Sequence, residues 1–522
     1  MAKYLLKRIV HAILSVIAVV VIVMILIYSL MDRTLIFATD SVYTKTSNNA
    51  KQTYMLRKWD EYGYLDYVTY ADYLMELKNS GEIDEETRAN VVNIARKAGN
   101  DSAEVQVYID KFYDYYTSKG YTVTRLDAVM AGKKVANGGQ QAYFAYKDKP
   151  VIERALTYFT SIISVDNINY VEEDIENRGI TFTSHDPVYG GEKFSPAIVG
   201  NGTKYKYLLY FDNKFPWIHQ NLVSINLGKS YSVNMGIDVF TTMTQSQGSY
   251  VNSVITYPTG LTEESADDLH MATYAADSLD TSVVYATRYT DHYTNVPTVK
   301  GGMSKMGYSF SIGICAVILS YCLGVPLGIV MARKKDKLVD KIGTLYIVFI
   351  IAVPSLAYIF LFKAIGYKIG LPTVFNVDSS SKLMYVLPII SLSLPSIASL
   401  MKWLRRYMID QMNSDYVKFA RSGGLSENEI FSKHILKNAI IPIVHGIPGS
   451  ILGALTGAII TERVYVVPGA GNLLTQAINK YDNGVIVGVT LYYAILSVTS
   501  LILGDILMSM VDPRISFSSK AR

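Results

Sequence analysis

Cysteine is almost missing from this chain of 522 residues. The two that occur, Cys315 and Cys322, lie in one apolar stretch, seven positions apart. On a helix that separation is about two turns, roughly 10 Å, too far for a disulfide. They read as two small buried apolar side chains, and no disulfide framework is available. The seven histidines, at 11, 185, 219, 270, 292, 434 and 445, follow no metal-ligand spacing. An excess of one charge is missing too: 49 Lys and Arg against 45 Asp and Glu leave +4. Nucleic acid as the main partner usually calls for a concentrated basic face, so no nucleic acid is expected. No G-x-S-x-G, H-E-x-x-H or kinase-type set occurs. Leu227-Gly228-Lys229-Ser230 has the GK[ST] end of a phosphate-binding loop, but Val223 stands where its first glycine belongs. Asn201-Gly202-Thr203 fits a glycosylation acceptor, a triplet that arises often by chance. Nothing in the chain supplies covalent chemistry, a metal site, a cofactor site or ATP binding, and an enzyme is not expected.

Long apolar runs are what the chain has in abundance. A span needs about 20 mostly apolar residues to cross about 30 Å of hydrocarbon. Ile9 to Leu30 is the first such block. It follows Lys3, Lys7 and Arg8, as a signal peptide would, but it is longer than an h-region and no A-x-A-like site follows it. Five more blocks come later: Tyr308 to Ala332, Leu345 to Ile365, Met384 to Leu404, Ala439 to Ile460 and Val485 to Val511. The chain therefore reads as a mainly α membrane protein with six transmembrane helices. Lys and Arg concentrate before the first block, between the second and third, between the fourth and fifth, and at the C-terminus. The positive-inside rule puts those four groups in the cytoplasm with both termini, and residues 32–305 outside the cell membrane.

The expected organisation is residues 1–31 as N-terminus and first helix, 32–305 as a mixed α/β outer insertion between helices one and two, and 306–522 as the remaining helices. Most of the 41 tyrosines fall in the insertion. Such a surface suits contact with protein or peptide, and tyrosines packing an ordinary core fit equally well. Three-to-four spacing of apolar residues predicts helices over Glu85 to Lys97 and Ser102 to Lys119. Tyr, Val and Thr predict strands over Lys204 to Phe211 and Ser282 to Tyr289, and Lys133 to Gln141 reads as a loop.

The cytoplasmic stretch 405–442 is too long for a simple connector. Asp415, Tyr416, Ala420 and Arg421 precede a bend at Gly423-Gly424; Leu425, Ser426, Glu427, His434 and Asn438 follow it, up to Pro442. Two short amphipathic helices are predicted, the first ended by Gly424 and the second opened by a capping box of Ser426 with Glu429. The pattern D-Y-V-x-x-A-R-x-x-G-L-S-E followed by K-H-x-x-K-N-A-x-x-P resembles the EAA loop of inner-membrane permeases of binding-protein-dependent ABC importers, in the oligopeptide/dipeptide branch. Ser422-Gly423 stands where that branch usually has a small residue and Lys, so one positive charge of the ATPase contact is absent. Pro326-Leu327-Gly328, Pro354-Ser355, Pro388, Pro395, Glu462, Pro468-Gly469-Ala470-Gly471, Asp512-Pro513-Arg514 and Asn226-Leu227-Gly228-Lys229-Ser230 fit the same branch in order. The large outer insertion is similar to that of the streptococcal Ami-type oligopeptide permeases.

This resemblance implies a type I ABC importer fold and a role as one half of an oligopeptide pathway. It implies a second homologous permease, two ATPase subunits that bind the ATP and Mg, a lipid-anchored extracellular peptide-binding protein, and membrane lipid around the helices. Residues 415–438 named above would couple to the ATPase, and Glu462, Pro468, Gly469 and Gly471 would form the outer gate or loop. Peptide groups crossing an apolar lining need polar partners; Ser309, Ser320, Tyr321, Ser391, Ser393, Ser396 and Thr456 are the candidates. Dipeptides or a nickel chelate are alternative cargoes in the same branch. A membrane receptor or sensor also places a large outer domain between two helices, but here four further helices follow and no kinase or coiled-coil segment does.

Overall fold

In the computed structural model, residues 2–167, 170–171, 174–186, 192–211, 218–256, 262–264, 271–275, 289–290 and 298–511 are described. The C-terminal Asp512-Pro513-Arg514 and most of the strand expected at Ser282 to Tyr289 lie outside them.

The first apolar block forms one long helix, α1 (Ala2–Leu30). The chain then builds a mixed α/β region with helices α2 (Asn48–Glu61), α3 (Tyr70–Asn79), α4 (Ala103–Ser118), α5 (Val151–Ser161) and α6 (Val239–Thr244). An antiparallel sheet of three strands has β1 (Leu65–Thr69) and β2 (Thr122–Leu126) on either side of β3 (Ala142–Asp148). Helix α4 lays Val105, Ile109, Phe112 and Tyr116 against Tyr70, Tyr73 and Tyr143, so many tyrosines here are core residues. A second antiparallel sheet runs in chain order through β4 (Gly179–Thr183), β5 (Ala197–Asn201), β6 (Tyr207–Phe211) and β7 (Ile218–Gln220). The helix expected over Glu85 to Lys97 stops at Val91. Beyond it the chain is pinned as a loop: the Asp101 carboxylate accepts from the Ala95 amide, and Arg125 donates to Asp101 (2.6 Å) and to the Ala95 carbonyl (2.9 Å). The predicted loop at Lys133 to Gln141 contains half of a small hairpin, Met130–Ala131 against Lys134–Val135.

The helices after this region are α7 (Lys305–Arg333), α8 (Leu338–Ala352), α9 (Ser355–Lys368), α10 (Val386–Met412), α11 (Asp415–Ser422), α12 (Glu427–His445), α13 (Ile447–Tyr465), α14 (Ala470–Asn479) and α15 (Asn483–Val511). Helices α7 and α10 pack most closely. A Cβ on Gly324 would lie 2.9 Å from the Leu400 Cβ, and one on Gly328 would lie 3.3 Å from that of Leu404, so glycine is what lets the two backbones approach.

Among the described residues, four helices are long and apolar enough to cross a membrane, α1, α7, α15 and the Lys382–Met412 stretch that contains α10; two bent pairs raise the number to six if each pair is one span. The third block departs from the single helix expected. Helices α8 and α9 meet at 111° around Val353-Pro354. Proline disfavours helical geometry in the residue before it, and Val353 is extended (φ −87°, ψ 129°). Helices α12 and α13 meet at 42°, beside Gly446 and with Pro448 in the first turn of α13. Cys315 and Cys322 also differ from expectation. Both are exposed, because they fall on the outward face of α7, opposite the face that packs on α10.

Candidate functional site: two loops at opposite ends of the helices and a buried carboxylate

The loop 405–442 is assembled on the end of α10. Leu404 and Met408 are fully buried there, against Val417 of α11 and Ile430, Ile435 and Ala439 of α12. That contact uses one face of α11 and leaves the other bare, with Phe419 76% exposed. Gly423 caps α11, and Gly424 takes φ +83°, a left-handed conformation that glycine adopts without steric cost. The Ser426 hydroxyl accepts from the Glu429 amide while the Glu429 carboxylate accepts from the Ser426 amide, the capping box expected from the sequence. Arg421 bridges the bend with two hydrogen bonds to Glu427 (2.7 and 3.1 Å), which hold the Glu427 carboxyl below its usual range. Tyr416 donates to the His434 carbonyl (3.3 Å) and accepts from Asn438 (3.0 Å), tying α11 to α12. Ala420 and Leu425 are half-buried in the same apolar cluster, whereas Asp415 and Ser426 are exposed. From Ile430 to Leu436 the helix widens to π-type turns, a local feature frequent at functional sites. Arg405 grips the Asp340 carboxylate of α8 with two bonds of 2.6 Å, joining the α7–α8 turn to this assembly.

At the other end of the helices, Glu462 of α13 is buried under the Pro468-Gly469-Ala470-Gly471 loop. Its carboxylate accepts from the Ser309 hydroxyl (2.5 Å) and the Asn472 amide (2.9 Å), and the Ser309 oxygen accepts from the Ala470 amide (2.8 Å). A Cβ on Gly469 would sit 2.3 Å from the Glu462 carboxyl carbon, and one on Gly471 would sit 2.7 Å from Ile459. Both glycines are therefore required by the closeness of loop and carboxylate. The Glu462, Pro468, Gly469 and Gly471 named from the sequence are one structural unit.

The candidate path residues are divided. Ser309 belongs to the Glu462 unit. Ser320 is buried and donates to the Ala316 carbonyl (2.6 Å); Ser391 is buried beside the Tyr465 hydroxyl (2.9 Å); Ser393 is buried and donates to the Ile390 carbonyl (2.8 Å). The Tyr321 hydroxyl meets Ser450 (3.1 Å) between α7 and α13, and Ser396 is half-buried. Thr456 is exposed on α13 and lines a cavity of about 920 Å³ between α1, α13 and α15. Tyr493 and Ser497 of α15 share that wall, and the Tyr493 hydroxyl is buried with no hydrogen-bond partner among the described residues.

One group that sequence reasoning passed over joins the mixed α/β region to the helices. Asp482, fully buried just before α15, accepts five hydrogen bonds. They come from the Ser230 hydroxyl (2.6 Å) and the amides of Tyr231 (2.8 Å), Ser232 (2.9 Å), Val233 (2.8 Å) and Val485 (3.1 Å). The Gly228-Lys229-Ser230 stretch excluded as a nucleotide loop is thus the partner of this carboxylate. Gly484 lies against it so closely that a Cβ would be 1.9 Å from the Lys229 carbonyl oxygen. Leu227, Val239 and Met243 complete the contact, buried with Val485, Val487 and Val489 of α15.

Residues 324–517 match the family model described as binding-protein-dependent transport system inner membrane component. The oligopeptide transport system permease protein AmiC of Streptococcus pneumoniae is 33% identical over 528 residues, covering 100% of this chain and 99% of that protein. The dipeptide transport system permease protein DppB of Lactococcus lactis subsp. cremoris is 33% identical over 224 residues, 43% of this chain and 73% of its own length. The nickel import system permease protein NikB of Staphylococcus aureus is 29% identical over 203 residues, 39% of this chain and 60% of its own.

Proposed function

This chain belongs to the binding-protein-dependent inner-membrane permeases of ABC importers, in the oligopeptide branch, and from that premise we propose that it forms half of an oligopeptide pathway across the cytoplasmic membrane. The likeness to an oligopeptide permease runs the full length of both chains, the mixed α/β region included, whereas the dipeptide and nickel permeases match 43% and 39% of this chain. The full-length match to an oligopeptide permease favours oligopeptides over the other cargoes of the branch.

The chain itself is not catalytic. ATP and Mg are bound by two separate ATPase subunits, one of which seats α11. The observation that carries this assignment is the bare face of α11: an exposed Phe419 between charged residues, on a short helix whose other face is locked to α10 and α12. A helix held this way moves as a rigid lever when its partner moves. ATP-driven closure of the ATPases pulls α11, and the Leu404–Met408 end of α10 follows. A second homologous permease completes the pathway, and a lipid-anchored peptide-binding protein delivers cargo on the side of the Glu462 unit. Both termini and 405–442 are cytoplasmic, and 32–305 is outside. Thr456, with Tyr493 beside it, is the best placed of the polar candidates to meet a peptide. The segment 226–244 packs on α15 and works as part of the helical core.

Reconstituting the transporter in proteoliposomes tests the reading. Substitution of Gly424 by valine or of Glu427 by lysine should leave insertion and assembly intact while separating ATP hydrolysis from uptake of a labelled oligopeptide. Normal uptake by both variants would remove 415–427 as the coupling element. An assembled complex without ATPase subunits would remove the importer assignment itself.

A further inference from the structure

Helix α5 and the short antiparallel pair that follows it, Ile163–Val165 against Val223–Ile225, carry an aliphatic surface with no cover among the described residues. The register places Val165 opposite Val223 and Ile163 opposite Ile225, so all four point to one face. They are 53%, 44%, 61% and 49% exposed. Ile152 and Leu156, one helical turn apart on α5, are 72% and 63% exposed. The opposite face of α5 is occupied. The Arg154 guanidinium lies 3.5 Å over the Tyr28 ring of α1, and Ala155 and Tyr158 pack into the cluster that holds Val20 and Met24.

The depth of this surface follows from α1. The apolar run Ile9 to Leu30, at 1.5 Å per residue, is about as long as the hydrocarbon core is thick, so Leu30 stands near the outer boundary. Thr157, Tyr158 and Ser161 share a small cavity with Met24 and Tyr28, and Met24 is roughly 9 Å below Leu30 along the helix. The inner side of α5 therefore lies beside the last two turns of α1, and since Glu61, Lys149 and Lys229 line the same cavity, it stands at the outer boundary of the hydrocarbon. Ile22, Ile25 and Leu26 of α1 are exposed at the same depth.

We infer that this surface is a second membrane contact: α5 and the 163–165/223–225 strand pair lie in the outer leaflet, with Ile152, Leu156, Ile163, Val165, Val223 and Ile225 among the lipid chains. An amphipathic helix with an aliphatic face binds the interface in this way. None of the six residues is charged, so the contact takes the acyl region of any phospholipid. It fixes the height of the α/β region over the bilayer. The inference rests on α1 as a membrane span.

Spin labels test it in the assembled transporter, in nanodiscs of equal parts phosphatidylcholine and phosphatidylglycerol. With Cys315 and Cys322 replaced by serine, single labels are placed by Ile163→Cys, Ile225→Cys, Ile22→Cys and Phe182→Cys. Phe182 is 70% exposed in β4, outside the surface. Collision with oxygen, which concentrates in lipid, is compared with collision with a water-soluble nickel chelate. Expected is an oxygen-to-nickel ratio at 163 and 225 several-fold above that at 182 and close to that at 22. Nickel access at 163 and 225 equal to that at 182 would overturn the inference. So would shielding from both reagents, which would mean that protein covers the surface. Nickel access at 22 would instead overturn the reading of α1 as a span.

Discussion

Replacing Asp482 by asparagine isolates the carboxylate that receives Ser230 and the amides of 231–233. One carboxylate oxygen accepts from the Tyr231 and Val485 amides, the other from the Ser230 hydroxyl and the Ser232 and Val233 amides. Asparagine keeps one acceptor and sets an NH2 against the remaining donors. If the oxygen stays with Tyr231 and Val485, the Ser232 and Val233 amides lose their partner. A buried donor left without one costs about 1–3 kcal/mol, so two cost about 3 kcal/mol after partial relaxation. That is roughly 150-fold in the equilibrium between docked and undocked segment. Hydrogen–deuterium exchange on the assembled transporter reads it directly: amides in 226–240 should exchange roughly 150-fold faster, while those of α7 and α10 keep their rates. Unchanged protection of 231–233 in an assembled variant would refute the reasoning, because it would show that apolar burial of Leu227, Val239 and Met243 holds the segment without the carboxylate.

Further expectations concern the two loops. Phe419→Ala should change the stability of the permease by less than about 0.5 kcal/mol, since the side chain is exposed, yet weaken binding of the ATPase subunit by about 2 kcal/mol, roughly 30-fold, as an interface anchor does; thermal unfolding measures the first and co-purification under dilution the second. Gly424→Ala should cost about 1 kcal/mol from its left-handed backbone, visible as a lowered midpoint in thermal unfolding. Gly469→Ala pushes a methyl group into the Glu462 carboxyl and should destabilise the 466–472 loop by about 1–3 kcal/mol, which limited proteolysis between Val466 and Asn472 would report. Gly484→Ala should mimic Asp482→Asn in exchange experiments, because its Cβ would collide with the Lys229 carbonyl.

Local chemistry was legible in the sequence. Apolar length located α1 and α15, and the Ser426–Glu429 box and the Gly424 turn stood where their side chains and backbone demand. Ser102 to Lys119 formed its helix because every fourth or third residue meets the same core. Contacts between distant parts left no such trace. Its place before α15 marks Asp482 only as a helix cap, through the Val485 amide, since its other four donors lie at 230–233. The helix expected beyond Val91 gave way to the Arg125–Asp101 pair, a tertiary bond that outweighs local propensity. Pro354 falls inside the third apolar block, but the angle it sets depends on how α8 and α9 pack. The serines looked alike as polar groups among apolar ones; only packing distinguishes Ser391, bonded to Tyr465, from Thr456 beside a cavity.

The Asp482 contact also bears on how the chain is made. Ser230 and its acceptor are separated by 252 residues, and Tyr64 and Asn483, bonded at 2.8 Å, by 419. A ribosome adds about 5–20 residues per second. After Ser230 is made, the 230–233 amides therefore wait on the order of ten seconds to a minute for their carboxylate, while the intervening helices are still being inserted. During that interval Leu227, Val239 and Met243 have no α15 to bury them. A chain that stops before residue 482 leaves this face open, and exposed apolar surface of that kind is what membrane proteases and chaperones engage.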